Sequence, residues 1–595
     1  MISIQNKSNP FLNFFIAILL LSATNETFSQ QKTYCNPINI DYGYCPIPNF
    51  VTQGKHRATA DPVITNFKGE YYLFSTNQWG YWHSADMLDW KFIPRKFLRP
   101  EHKVYDELCA PSVSFVNDTL LVIGSTHTKD FPLWMSKNPK TDDWKELVHK
   151  SEAAAWDPQI FWDKEKDEVY MYYGSSNLYP LYGMKLNRKT FQPEGERIPV
   201  LALNDDEHGW ERFGENNDNT FLEPFTEGAF MTKHNNKYYL QYGAPGTEFS
   251  GYADGVYVGN NPLGPFEYQS HNPFSYKPGG FARGAGHGAT YQDNNNDYWH
   301  VSTIVLSTKN NFERRIGIWP AGFDADGVMY SNTAYGDYPT FLPSEKKNHL
   351  NENFSGWMLL NYNKTVQVSS TLGGLQSNFI TDEDMKTYWS AKTANKGEYL
   401  IADLGEKSTI NAIQINYADQ DVELMGKPET TTGHKYIIYA SDDNKNWKVL
   451  VDKSKNTKDV PHDYIELDKP GKARYLKLEN IQMPTGKFAI SGFRVFGKGA
   501  GQKPNAVKNF APLRAEAKKK GERRSVWFKW QQEENADGYV IYFGKSADKL
   551  YGSIMVYGKN EYYFNGLDRS DAYYFQIEAF NNNGIGPKSE VKKSE

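Results

Sequence analysis

Four titratable residues stand at comparable places in a repeated unit: Asp61, Asp157, Glu227 and His287. Carboxylates brought together can divide acid and base work, one giving a proton to a leaving group while another takes one from water. The segments that carry them are Asp61-Pro-Val-Ile, Ala110-Pro-Ser-Val, Asp157-Pro-Gln-Ile, Glu227-Gly-Ala-Phe and His287-Gly-Ala-Thr. Each precedes an aromatic or β-branched strand: Tyr71-Tyr-Leu-Phe-Ser, Leu120-Leu-Val-Ile-Gly, Tyr170-Met-Tyr-Tyr-Gly, Tyr238-Tyr-Leu-Gln-Tyr and Tyr298-Trp-His-Val-Ser. A short all-β unit repeated in this way, its strands joined by turns, is the pattern of propeller blades. Equivalent positions of successive blades face the central axis, so the repeat predicts that the four residues meet there. Taken singly, an Asp before Pro is a turn or cap residue. A turn role, however, does not require acidity at matching places on separate blades.

The elements that must position these groups are spread over a chain of 595 residues, too long for one core. Aromatic residues make up 15% of it, dominated by tyrosine, which suits strands and also sugar stacking. A net charge of −5 gives no case for a nucleic-acid partner, and the basic run from Lys518 to Arg524 reads as a solvated turn. The N-terminus has the form of a secretory signal peptide over residues 1–30: Lys7, an apolar run from Phe11 to Leu21, then small and polar residues. That run is too short to span a bilayer, and the expectation is a secreted protein with no membrane span. Of three cysteines, Cys35 and Cys45 could pair across a short loop or remain thiols, and Cys109 reads as a structural thiol.

The predicted fold class is all-β in three modules. A five-bladed propeller covers 32–343. A second unit over 354–497 alternates apolar and polar residues between Gly, Asn and Asp turns, which predicts a β-sandwich. Its segments Asn378-Phe-Ile-Thr-Asp-Glu-Asp-Met-Lys-Thr-Tyr-Trp389, Glu398-Tyr-Leu-Ile-Ala-Asp-Leu-Gly405 and Ile490-Ser-Gly-Phe-Arg-Val-Phe496 resemble the discoidin-like (coagulation factor 5/8 type C) domain, a frequent sugar-binding appendage. Trp389 is expected in its core. Asp382 and Asp384 are either candidate ligands of a structural Ca²⁺, as in related sugar binders, or part of a solvated loop. The last module, 506–592, with Trp530, Tyr539, Leu567 and Tyr573, looks like a fibronectin type III β-sandwich and reads as a spacer.

The openings of the first module resemble glycoside hydrolase family 43, whose members are five-bladed propellers. Asp61 in Thr59-Ala-Asp-Pro-Val-Ile, Asp157 in Trp156-Asp-Pro-Gln-Ile-Phe and Glu227 in Thr226-Glu-Gly-Ala-Phe match its acidic positions in order. Cys109-Ala-Pro-Ser-Val, Gly286-His287-Gly and the segment from Arg314 to Gly327 match its second-blade, fifth-blade and closing segments. The resemblance implies inversion, with Asp61 as general base, Glu227 as general acid, and Asp157 raising the pKa of the acid and orienting it. It also implies a substrate-facing arginine. Strand alternation sends one of Arg314 and Arg315 inward without saying which. His287 is a candidate for substrate contact, for an axial Ca²⁺, or for packing. Trp79, Trp82, Trp156 and Phe225 are candidate sugar platforms or blade core.

The expected activity is hydrolysis of a terminal sugar of plant or algal polysaccharides or their oligosaccharides, with no cofactor required for the chemistry. Family resemblance implies β-D-xylosidase or α-L-arabinofuranosidase, with exo-β-galactosidase as an alternative. The long segment from Asn204 to Phe225 is the candidate for closing a cleft into an exo-acting pocket. The rival reading is a carbohydrate-binding propeller without catalysis.

Overall fold

A computed structural model describes residues 32–47, 54–97, 108–126, 130–153, 155–342, 349–427, 432–516 and 522–594. The signal-peptide reading therefore lies outside the described residues. The protein is nearly all β.

Five four-stranded antiparallel sheets follow one another, each strand pairing with its neighbour in sequence. Their first strands, Val63–Phe67, Cys109–Val116, Gln159–Asp163, Glu227–His234 and Gly284–Gln292, touch in that cyclic order, and the fifth returns to the first. The aromatic second strands supply the packing between sheets. Tyr71, Tyr72, Leu73 and Phe74 are all buried, as are Tyr238, Tyr239 and Leu240. The ring is tied at its start: Thr33–Tyr34 pairs with Thr340–Phe341, and the Asn36 amide donates to the carbonyls of Ile318 (2.9 Å) and Gly336 (2.8 Å).

Each first strand begins with the same device. Asp61 and Asp157 (φ 49° each), Ala110 (φ 42°), Gly228 (φ 66°) and His287 (φ 43°) all adopt the left-handed conformation. In the second, fourth and fifth sheets the pairing register breaks at this point. Such residues cost about 1–3 kcal/mol each when they are not glycine, and bulges of this kind re-aim side chains beside sites. The repeat therefore differs from the sequence reading in one place. The fourth-sheet equivalent of Asp61 is Gly228, and Glu227 lies one residue earlier.

The second module is an eight-stranded β-sandwich assembly built on the long strands Tyr399–Tyr417 and His462–Gln482, closed around Trp389, Ile413, Ile415, Phe493 and Val495. It is fastened to the first module by buried charge. Arg57 donates to Asp419 and Asp459 of the second module, and Arg494 of the second module, paired within it to Glu383 (2.9 Å), donates across the seam to the Asp337 carbonyl (2.6 Å).

The third module has a three-stranded sheet facing a five-stranded one. It is not a spacer, which corrects the sequence reading. Its core of Phe528, Ile541, Phe564 and Phe575 is continuous with Trp210, Tyr242 and Tyr276 of the first module. At Gly209 a Cβ would lie 2.2 Å from the Asn565 carbonyl, so the contact admits no side chain. Sequence reasoning missed this interface because loops far apart in the chain make it. Cys35 holds a free buried thiol, 3.4 Å from the Asp337 carbonyl, so it is not bridged to Cys45.

Candidate active site

Asp61, Asp157, Glu227 and His287 come together at the axis of the first module, almost wholly buried. His287 Nδ1 lies 3.4 Å from Asp61 Oδ1, 3.9 Å from Glu227 Oε2 and 4.0 Å from Asp157 Oδ2. The backbone explains the convergence. The left-handed residue that opens each first strand turns its side chain toward the axis, so Asp61, Asp157 and His287 enter from three sheets at one level. Glu227, a residue earlier than that position, reaches in through its longer side chain. Gly228 makes room for the histidine, since a Cβ there would lie 2.8 Å from the His287 ring.

Hydroxyl groups at the ends of second strands, and one tyrosine just before a third strand, fix the carboxylates. Thr76 donates to Asp61 Oδ2 (2.6 Å) and accepts from the Ala110 amide (2.7 Å), while the Asp61 amide donates to Thr303 Oγ1 (3.0 Å). Ser125 donates to Asp157 Oδ1 (3.1 Å) and accepts from the Asp157 amide (2.8 Å). Tyr252 donates its phenolic hydrogen to Glu227 Oε1. Thr76, Ser125, Thr303 and Tyr252 were missed in the sequence. For Thr76, Ser125 and Thr303 the available signal was a hydroxyl residue at or just beyond the end of a blade's second strand, whereas Tyr252 directly precedes a third strand and carried no such signal.

Of the arginine pair, Arg314 faces inward, with Nη1 3.4 Å from Asp61 Oδ1 and 2.7 Å from Thr247 Oγ1. Arg315 faces away and is removed from the substrate-binding set. Its guanidinium donates to His462 Nε2 (2.9 Å) and to Asp419 (3.4 Å) at the seam with the second module.

The surroundings drive the carboxyls apart in acidity. Burial pushes Asp61 up, but Arg314, His287 and the Thr76 hydroxyl outweigh it and hold Asp61 below the usual carboxylate range. Burial, then the charge of Asp61, raises Asp157 to about 7. Burial raises Glu227 to about 7 as well, with Asp157 and Asp61 adding to the rise while His287 and Tyr252 oppose it. The site thus offers an ionised carboxylate and a proton-bearing carboxyl near neutral pH, the division that acid–base chemistry needs.

The aromatic candidates separate. Trp156, 39% exposed, stands beside Asp157 with its ring edge-on to Phe131. Phe225 is half-buried, and its amide donates to the Pro245 carbonyl (2.8 Å). Trp79 packs under Gly426 of the second module. Trp82 is fully buried, its indole donating to Asp41 (2.7 Å), and is core rather than platform.

Among the described residues, Asp157, Glu227 and His287 form the group whose ligand atoms come within 4.8 Å of one another. One ring nitrogen and two carboxylates would supply three of the roughly six to eight ligands that Ca²⁺ takes, with water as the source of the others. Asp382 and Asp384 are committed locally. Asp382 accepts from the Asp384 amide (3.0 Å) and the Thr387 hydroxyl (2.6 Å), and Asp384 accepts from the Lys386 amide (3.0 Å).

Residues 48–329 match the family model described as glycosyl hydrolases family 43, and residues 365–491 match the F5/8 type C domain. The chain carries a family 43 glycosyl hydrolase domain. No curated protein matches it. Solved structures similar to it include an endo-1,4-beta-xylanase from Bacteroides thetaiotaomicron (19% identity, TM-score 0.40, covering 47% of this chain and 95% of that one). Another is the Bacteroides ovatus xyloglucan PUL GH43B (14%, 0.41, 94% and 98%). A third is a family 43 arabinoxylan arabinofuranohydrolase from Bacillus subtilis (14%, 0.38, 74% and 96%). These likenesses are too distant to bear on substrate.

Proposed function

We propose that the protein is an exported, inverting exo-glycosidase that releases terminal β-D-xylose or α-L-arabinofuranose from plant or algal polysaccharides or their oligosaccharides. In this reading Asp61, kept ionised by Arg314, takes a proton from the water that attacks the anomeric carbon. Glu227 gives its proton to the departing glycosidic oxygen on the other side. Asp157 helps keep Glu227 protonated through its negative charge, and Arg314 also contacts a sugar hydroxyl. Trp156 offers a ring face to the sugar. The single observation that carries the reading is the opposite displacement of Asp61 and Glu227 in acidity while both lie within 4 Å of one histidine nitrogen.

The third module is taken as a fibronectin type III-like sandwich, and export is assigned to residues 1–30. The test is hydrolysis of a panel of nitrophenyl β-D-xyloside, α-L-arabinofuranoside and β-D-galactoside. Turnover of the xyloside or arabinofuranoside supports the reading, and turnover of the galactoside alone replaces its substrate.

A further inference from the structure

The acid has a support that reaches outside its own module. Tyr252, which donates to Glu227, is fully buried, with its ring against Gly286, where a Cβ would lie 2.8 Å away. It ends the connection Pro245–Tyr252, and the three residues before it are seated on the loop 204–225. Phe249 packs edge-on to Phe213 at 4.7 Å between ring centroids. Ser250 gives both its amide (2.9 Å) and its hydroxyl (2.6 Å) to the two oxygens of Glu215. Gly251 lies against Asn217, whose Oδ1 would be 3.2 Å from an added Cβ.

Both appended modules hold that loop. Lys386 of the second module is 3.3 Å from Glu215 Oε1. From the third, Asn565 donates to the Asn216 carbonyl (2.8 Å), Asp568 pairs with His208 (2.9 Å), and Arg524 and Arg569 pair with Asp206. The base is held mainly from elsewhere, by Thr76 and Thr303, and by Arg314, which alone of the three reaches this connection, donating to Thr247 (2.7 Å).

We propose that Glu215 is a positioning residue for the acid: it fixes Ser250, and through it aims Tyr252 at Glu227, on a loop that the two C-terminal modules hold in place. Those modules are then part of the catalytic unit rather than a sugar-binding appendage and a spacer. This rests on the assignment of Glu227 as the acid. Its consequence is selective, because an acid out of position slows the departure of a sugar and barely affects a leaving group that needs no proton.

The experiment compares xylobiose with dinitrophenyl β-D-xyloside. Tyr252→Phe sets the reference pattern. Glu215→Ala is expected to lower kcat on xylobiose about tenfold while the dinitrophenyl rate stays within about twofold. Glu215→Gln, whose amide oxygen still accepts from Ser250, is expected to recover most of the loss. Glu215 is half exposed, so its removal does not threaten the core. Equal loss on both substrates, or no loss on either, overturns the proposal. If the wild type hydrolyses neither xyloside, the sugar assignment has failed, and the same comparison with arabinobiose and the dinitrophenyl arabinofuranoside decides the role of Glu215.

Discussion

Replacing Arg314 by methionine removes the main cationic partner of Asp61 while keeping a side chain of similar length. The guanidinium stands 3.4 Å from Asp61 Oδ1 in a buried setting, where an adjacent arginine lowers an aspartate pKa by about one to three pH units. Without it, burial is opposed only by His287 and the Thr76 hydroxyl. The sign follows directly: losing a cation disfavours the ionised carboxylate, so the pKa of Asp61 rises and the acid limb of kcat/KM moves to higher pH. Near pH 4 the ionised fraction falls by about twofold to a hundredfold, while near pH 7 it is almost unchanged. The assay is kcat/KM for a nitrophenyl glycoside across the acid range, with Arg314→Lys as the comparison that keeps the charge and should move the limb less. An acid limb that stays put in Arg314→Met would refute Asp61 as the base held ionised by this arginine. A uniform loss at every pH would reduce Arg314 to a substrate contact.

Other consequences follow from the same contacts. Gly228→Ala puts a methyl group 2.8 Å from the His287 ring at φ 66°, so it should cost about 1–3 kcal/mol in thermal unfolding and lower turnover sharply; unchanged melting and rate would contradict the packing. Asp419 is pushed up by burial, but Arg57 and Arg315 outweigh this and hold its carboxyl below its ordinary value. Its contribution is fully present above the unfolded pKa of about 3.9 and is lost as pH falls through the lower folded value. Melting temperature should therefore drop on acidification in the wild type, and Asp419→Asn should cost about 3–5 kcal/mol at neutral pH with a flatter acid dependence. Ending the chain at residue 505 uncovers Tyr276, which packs on Phe564, and strips the partners of Asp206 and His208. The shortened protein should aggregate or lose activity, and a stable, fully active product would show that the third module is dispensable.

How much was legible in the sequence differs from residue to residue, for physical reasons. Asp61, Asp157 and His287 lie at equivalent points of a repeat, and a backbone device shared by all five sheets brings them to the axis, so spacing alone locates them. Glu227 was found although its register is off by one, because glycine occupies the left-handed position that the other sheets fill with a side chain. Thr76 and Tyr252 were not found, since a hydroxyl on the end of a strand gains its role only from what closure places opposite. Alternation separates Arg314 from Arg315 but cannot orient the pair until the seam with Asp419 is known. Trp82 and Trp156 carry the same ring, yet one meets Asp41 in a core and the other stands open beside Asp157. The third module looked like a spacer because its interface is written in the side chains of Asp206, His208 and Asp568, which sequence separation hides.

The most direct check is the configuration of the sugar at the moment of release, followed by proton NMR in the first minutes of hydrolysis of an accepted glycoside. Asp61 activating water opposite Glu227 predicts the inverted anomer first, with the other form appearing only as mutarotation proceeds. A first product that retains the substrate's configuration would mean that a carboxylate attacks the sugar itself, and the assignment of Asp61 as a base would be wrong.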